Sequence, residues 1–193
     1  MRNRNLCYLL LGVSLLVCCS FFAIGQEKTK ALYCSEKSGN YSIQWNWIDK
    51  PQSIKFPAKS GNLKLPKKYI VFEVVSSNLN SNLTLLRKNG GTITLPFIDS
   101  ARGVLDCLTF KVVNSGTLSK ELNDKYPEIV SLKGFDVKNK YNTVRFDYDG
   151  TSMNISVICN GINYLYAPYK VKNKVYYLLF KKTDNNGSSR LTR

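Results

Sequence analysis

From Thr143 onward the sequence alternates apolar and polar residues with a period of two: Val144, Phe146 and Tyr148 against Thr143, Arg145 and Asp147. Such alternation separates onto two faces only in an extended strand. Asp149-Gly150, the run "SMNISVIC", Asn160-Gly161 and the run "INYLYAPY" follow in order, and "KVYYLLFKK" closes the series. An Asx-Gly pair between alternating runs is a hairpin signal, because both residues accept the positive φ of a tight turn. The pattern rules out a helical bundle and predicts an antiparallel meander.

Further strands are legible upstream in "SIQWNWIDK" (Ser42–Lys50), "KYIVFEVV" (Lys68–Val75), "TITLPF", "LTFKVV" and "IVSLKGFDV". Two short stretches break the strand period. Leu79, Leu83 and Leu86 recur at helical spacing, with Asn80 or Ser81 as cap and Asn89-Gly90 as stop. In "TLSKELNDKYPEIVSLKGF" (Thr117–Phe135), Thr117 or Ser119 caps a second helix with Leu118 and Leu122 as its apolar stripe. Pro127 ends it by excluding Tyr126 from helical geometry. The predicted class is α+β: mainly antiparallel β-sheet covered by one or two short helices.

Arg2 and Arg4 precede an uncharged run from Leu6 to Ile24, and Ala23-Ile24-Gly25 supplies small residues at the −3 and −1 positions of a signal-peptidase site. The run is long enough to span a bilayer, but its small-residue exit and the polar sequence beyond favour cleavage. Cys18 and Cys19 lack the small preceding residue of a lipobox. Residues 1–25 are therefore expected to be a signal peptide, with the mature chain starting at Gln26. The product is then secreted, periplasmic or extracellular, without a stable membrane anchor. The rest divides into a polar leader with one strand and a Pro-rich connection (26–66), an α+β domain (67–184) and a disordered tail (185–193).

Loss of Arg2 and Arg4 takes the basic count from 28 to 26 against 13 acidic residues, a net charge of +13. That field attracts anionic partners such as surface polymers. Its lysines are spread along the chain and form no compact block, and no specific nucleic-acid motif is present. Trp45 and Trp47 share a strand, either as a stacking platform for sugars or as one buried and one half-buried core ring. Of the cysteines that survive cleavage, Cys159 shares a strand face with Met153, Ile155 and Val157 and reads as core. Cys107 shares its face with Thr109 and Lys111 and reads as more exposed; its pairing with Cys34 or Cys159 is left open.

The chain contains no histidine, which removes Ser/His and Cys/His triads and the usual zinc motifs. Asp147 and Asp149 stand two apart and share a strand face, as an acid/base or cation-binding pair would, although Asp149 fits the Asp-Gly turn better. No C-x-x-C pair and no glycine-rich phosphate loop occurs. The expectation is a protein that is not an enzyme, with no catalytic residues, no cofactor and no metal.

Four segments taken in order resemble the N-terminal propeptide region of secreted reprolysin-like zinc metallopeptidases of Bacteroidetes-type bacteria. They are "KYIVFEVVSSNLNSNLTLLRKNGGTITLPFID", "LTFKVVNSGTLSKELNDKYPEIVSLKGF", "VRFDYDGTSMNISVICNGINYLYAPY" and "YYLLFKKTD", together covering roughly 67–184. Asn114 stands where the pattern has glutamate, and Leu132 where it has tyrosine. The resemblance implies a propeptide-like domain that shields, chaperones or inhibits a metallopeptidase catalytic domain, or the remnant of a truncated precursor. It also implies a role for Cys107 as an inhibitory thiol. The other reading of the residues is a secreted cationic binding module for anionic glycans or cell surfaces, using the lysines with Trp45 and Trp47.

Overall fold

A computed structural model describes residues 30–32, 34, 43–75, 78–99 and 104–185. The expected signal peptide and residues 186–193 lie outside them. The elements are β1 (Lys30–Leu32), β2 (Trp45–Ile48), β3 (Lys59–Ser60), β4 (Leu63–Lys64), β5 (Ile70–Val74), α1 (Leu79–Asn89), β6 (Gly91–Asp99), β7 (Val104–Asn114), α2 (Lys120–Lys125), β8 (Val130–Asp136), β9 (Thr143–Tyr148), β10 (Met153–Cys159), β11 (Ile162–Val171) and β12 (Lys174–Lys181). The described residues are mostly antiparallel sheet with two α-helices, and the sheet is what the alternation predicts.

Ten strands form one sheet in the order β1-β2-β5-β12-β11-β10-β9-β8-β7-β6, and β3-β4 is a separate two-stranded ribbon. Strands β6 to β12 are a continuous meander, while β5, β2 and β1 add to its far side. Asn160-Gly161 forms a two-residue hairpin turn between Cys159 and Ile162, with φ of 50° and 75°. That is the mirror-image turn geometry that Asn-Gly favours.

The sheet's two faces are both apolar over part of their area. Phe110, Val112, Leu132, Phe146, Ile155, Val157, Tyr166 and Leu179 build the inner core, capped by Leu83 and Leu86 of α1. At α1's end Gly90 takes φ 67° and donates its N–H to the carbonyl of Leu86, a conformation that glycine adopts without steric cost. The cap residue is Asn78, two residues before Asn80 and three before Ser81, and its side chain makes no capping bond. On the outer face Ile48, Val71, Tyr169, Leu178 and Phe180 form a second cluster beneath Ile54, Phe56, Leu63 and Leu65. The Pro-rich segment is thus a flap closed over the sheet, fastened by Ser60 Oγ to the Pro168 carbonyl and by Tyr169 Oη to the Lys64 carbonyl.

The core draws on residues from both sides of position 66. Trp45 sits edge-on to Phe72 and Tyr177 and tilted against Tyr166, so the 26–66 segment supplies part of the same core. At the other end Asn185 is buried and donates its N–H to the Lys182 carbonyl.

α2 starts where the sequence places it: Ser119 Oγ accepts the Leu122 N–H, and Tyr126 ends the helix in a non-helical conformation. Its apolar stripe is not buried. Leu122 is 44% exposed, and none of the six helical residues is buried. The helix is turned so that Asn123 faces the protein, where its side chain bonds the Leu118 carbonyl and the Arg87 guanidinium.

The β6–β7 hairpin is longer than its sequence signals. Its ladder runs from Gly91–Val112 to Asp99–Val104, whereas β8 accompanies β7 only as far as Phe110–Asp136. The unaccompanied half of the hairpin bends across the inner face to β11. There Phe97 packs on Tyr164 with ring centroids 4.7 Å apart, and Tyr166 Oη donates to the Pro96 carbonyl. Cys34, just after β1, is disulfide-bonded to Cys107 of β7 with a Cα–Cα distance of 5.6 Å. The two margins of the sheet are therefore drawn together, and the sheet curls on itself.

Candidate functional site

The residues singled out in the sequence do not converge. Trp45 is 1% exposed and enclosed by aromatic rings, so it offers no stacking face. Trp47 is half-buried against the same core. The pair is the core alternative of the two that its spacing allows. Cys107 is held in the disulfide and presents no free thiol, while Cys159 is buried at the end of the inner face, as its alternation predicts.

Asp147 and Asp149 are engaged separately. Asp147 accepts from the Ser131 hydroxyl and from Arg145 Nε at 2.9 Å; its carboxylate, by that hydrogen bond and by its charge, holds the guanidinium more firmly protonated. Asp149 accepts from the N–H groups and hydroxyls of Thr151 and Ser152 within the β9–β10 turn. Partial burial pushes its carboxyl up, but these four donors outweigh burial and hold it below the usual carboxylate range. Such bonding makes Asp149 the locked residue of an Asx turn. Among the described residues no group of three His, Cys, Asp or Glu side chains is placed to hold a metal ion.

The chemistry that does converge lies at one end of the strands β8-β9-β10-β11-β12-β5. The register fixes this grouping. Phe135 pairs with Thr143, Ile158 with Thr143, Cys159 with Ile162, and Tyr164 with Lys181. The β8–β9 connection, the β10–β11 turn, the end of β12 and the start of β5 are thus neighbours along one rim. Asn142, itself buried, ties the first two together: its Oδ1 accepts the Asn160 N–H in a part-buried bond, and its amide donates to Asp136 in a buried one.

Along this rim stand Lys138, Lys140, Lys182, Lys67 and Lys68, all exposed, with Lys181 half-buried. Of the ion pairs among the described residues, Arg145–Asp147 and Lys174–Glu73, neither involves them. Between the lysines project large apolar side chains. Tyr141 is 80% exposed, Val137 49%, Ile158 42% and Ile162 37%. Lys140 Nζ lies 6.0 Å from the centre of the Tyr141 ring. A scattered exposed leucine needs no explanation, but apolar tips gathered at one end and interleaved with cations are a recognisable interaction surface.

Sequence reading missed this site because its residues are spread from position 67 to 182 and meet only through the strand register. The one local signal was "VKNKY" (137–141), a lysine-rich turn that retains a valine and a tyrosine. Compared with models of protein families, with curated proteins and with solved structures, the chain matches none.

Proposed function

We propose that this protein is an exported, non-catalytic binding module that docks by its lysine-rimmed end onto anionic cell-surface lipid. The observation that carries this reading is Tyr141, 80% exposed at a turn tip with Lys138 and Lys140 on the same turn. An aromatic ring with a polar tip suits the headgroup level of a membrane. Lysine stems lie along apolar surface while their ammonium groups stay in water. Near an anionic surface each such lysine contributes about 1 kcal/mol. Val137 and Ile162 add aliphatic area that an acyl boundary accepts and a hydrated polysaccharide does not.

Two further observations support it. Without Arg2 and Arg4 the exported chain carries 26 basic and 13 acidic residues, a net charge of +13, so the rim sits in a long-range attractive field. The Cys34–Cys107 disulfide is of the kind that persists in oxidising compartments, in keeping with export. Shielding of a metallopeptidase rests on the sequence resemblance, and the disulfide removes the thiol on which its inhibitory form depended.

Vesicle co-sedimentation tests the proposal. Binding is expected to vesicles of phosphatidylcholine with a third phosphatidylglycerol, to weaken with salt, and to be absent with phosphatidylcholine alone. Neutralising Lys138 and Lys140 together to glutamine removes about 2 kcal/mol, a loss of about thirtyfold. Equal binding to both vesicle types would overturn the proposal. Salt-sensitive binding to a sulfated polysaccharide that survives Tyr141→Ser, with none to vesicles, would assign the rim to glycans instead.

A further inference from the structure

The same end of the sheet opens into a cleft of about 340 Å³. Its floor is the inner face of three strands. Ile70 and Leu179 are cross-strand partners on β5 and β12, and Tyr164 stands on β11. Ile98 of the bent β6–β7 hairpin faces them from the opposite wall. The walls are mostly apolar, and the volume lies within the usual range for small-molecule sites.

Two cations stand at the mouth of this apolar space. Lys181 pairs in register with Tyr164. The ladder of β5 with β12 ends at Leu179–Ile70, and Lys68 lies in the bend just before β5. Both lysines line the cleft together with Asp184. Neither ammonium group has a carboxylate within 4.0 Å among the described residues. Asp184 is a single negative charge beside two positive ones. The apolar cleft is thus lined by two cations and one carboxylate, a net positive balance that suits one anionic group.

We infer that this cleft binds a monoanionic amphiphile, a carboxylate with a short aliphatic body, whose head lies between Lys68 and Lys181 and whose chain runs along Ile70, Leu179 and Ile98. At roughly 30 Å³ for each water-sized group, the cleft holds about eleven non-hydrogen atoms, the size of octanoate. This binding does not depend on docking of the rim to a surface, and the two fail separately.

Isothermal titration of the full chain with octanoate tests it. One site is expected, with octanol and acetate each binding at least tenfold more weakly, since one lacks the charge and the other the chain. Lys68→Gln/Lys181→Gln should weaken octanoate at least tenfold and leave the urea midpoint unchanged. The unchanged midpoint separates loss of a ligand from loss of the fold. Ile98→Trp, which fills the cleft from its outer wall, should also abolish the heat of binding. The Lys138→Gln/Lys140→Gln variant used for vesicles should bind octanoate unchanged. Octanoate binding equal in wild type and the Lys68/Lys181 variant would overturn the inference, as would octanol binding equal to octanoate or no heat at millimolar octanoate. Binding seen only after removal of residues 186–193 would also overturn it, by assigning the cleft to the chain's own tail.

Discussion

The hydroxyl of Tyr166, fully buried on β11, donates a 2.5 Å hydrogen bond to the carbonyl of Pro96 on β6, although five steps of the sheet order separate the two strands. The bond fixes the bent hairpin against the inner face. Pro96 also lies in the ladder opposite Cys107, so the same hairpin is held by a hydrogen bond and by a disulfide.

Tyr166→Phe keeps the ring and deletes the donor, leaving a buried carbonyl unpaired. The expected loss is about 1–3 kcal/mol, read from the urea midpoint with an unchanged slope. A shift of under about 0.3 kcal/mol would mean that the Pro96 carbonyl finds another partner.

Reduction of Cys34–Cys107 should lower stability substantially. The crosslink joins residues 73 apart, and the entropy of closing a loop of that size corresponds to about 4 kcal/mol in the chain-entropy account. Urea unfolding with and without reductant measures it, and Cys34→Ser/Cys107→Ser should behave like the reduced protein in both conditions. An insensitive midpoint would show that the sheet margins stay together without the bond.

Leu83 and Leu122 are both helical leucines at positions that look apolar in sequence, and they should respond oppositely. Leu83 is 0% exposed, so Leu83→Ala should cost about 2–5 kcal/mol. Leu122 is 44% exposed, so Leu122→Ala should cost under about 0.5 kcal/mol, like other surface changes. Comparable urea midpoints for the two variants would contradict the placement of α2.

Alkaline pH should destabilise the protein through its buried phenols. Burial pushes the Tyr177 hydroxyl up to about 12, against a small opposing effect of the Met153 N–H that bonds its oxygen. Burial pushes Tyr166 up as well. The fold thus favours the protonated phenol. Its contribution is complete below pH 10, where both states hold the proton. It then declines as the unfolded chain ionises first, until the folded phenol ionises near pH 12. Urea midpoints measured from pH 8 to 12 should be flat to about 9.5 and then fall. A parallel phenolate titration in the ultraviolet should show these tyrosines ionising only as the protein unfolds.

The sequence by itself determined the strand meander from Thr143 to Lys181, because period-two alternation and Asn160-Gly161 are local and have one geometric solution. It determined the burial of Cys159 and of Leu83 and Leu86 for the same reason, and the Ser119 cap, whose partner lies three residues away. Tertiary structure decided what depends on contacts between distant segments. The length of the β6–β7 hairpin and its bend come from Tyr164 and Tyr166, some seventy residues away. The partner of Cys107 is set by the curl of the sheet, which no spacing of cysteines encodes. Leu122 shares its helical pattern with Leu83, yet only the docking of Asn123 through Arg87 decides which helix face is covered. The rim lysines and the cleft were invisible for a related reason. Strand register gathers Lys68, Lys138 and Lys181 from three parts of the chain, and charge in sequence carries no record of that register.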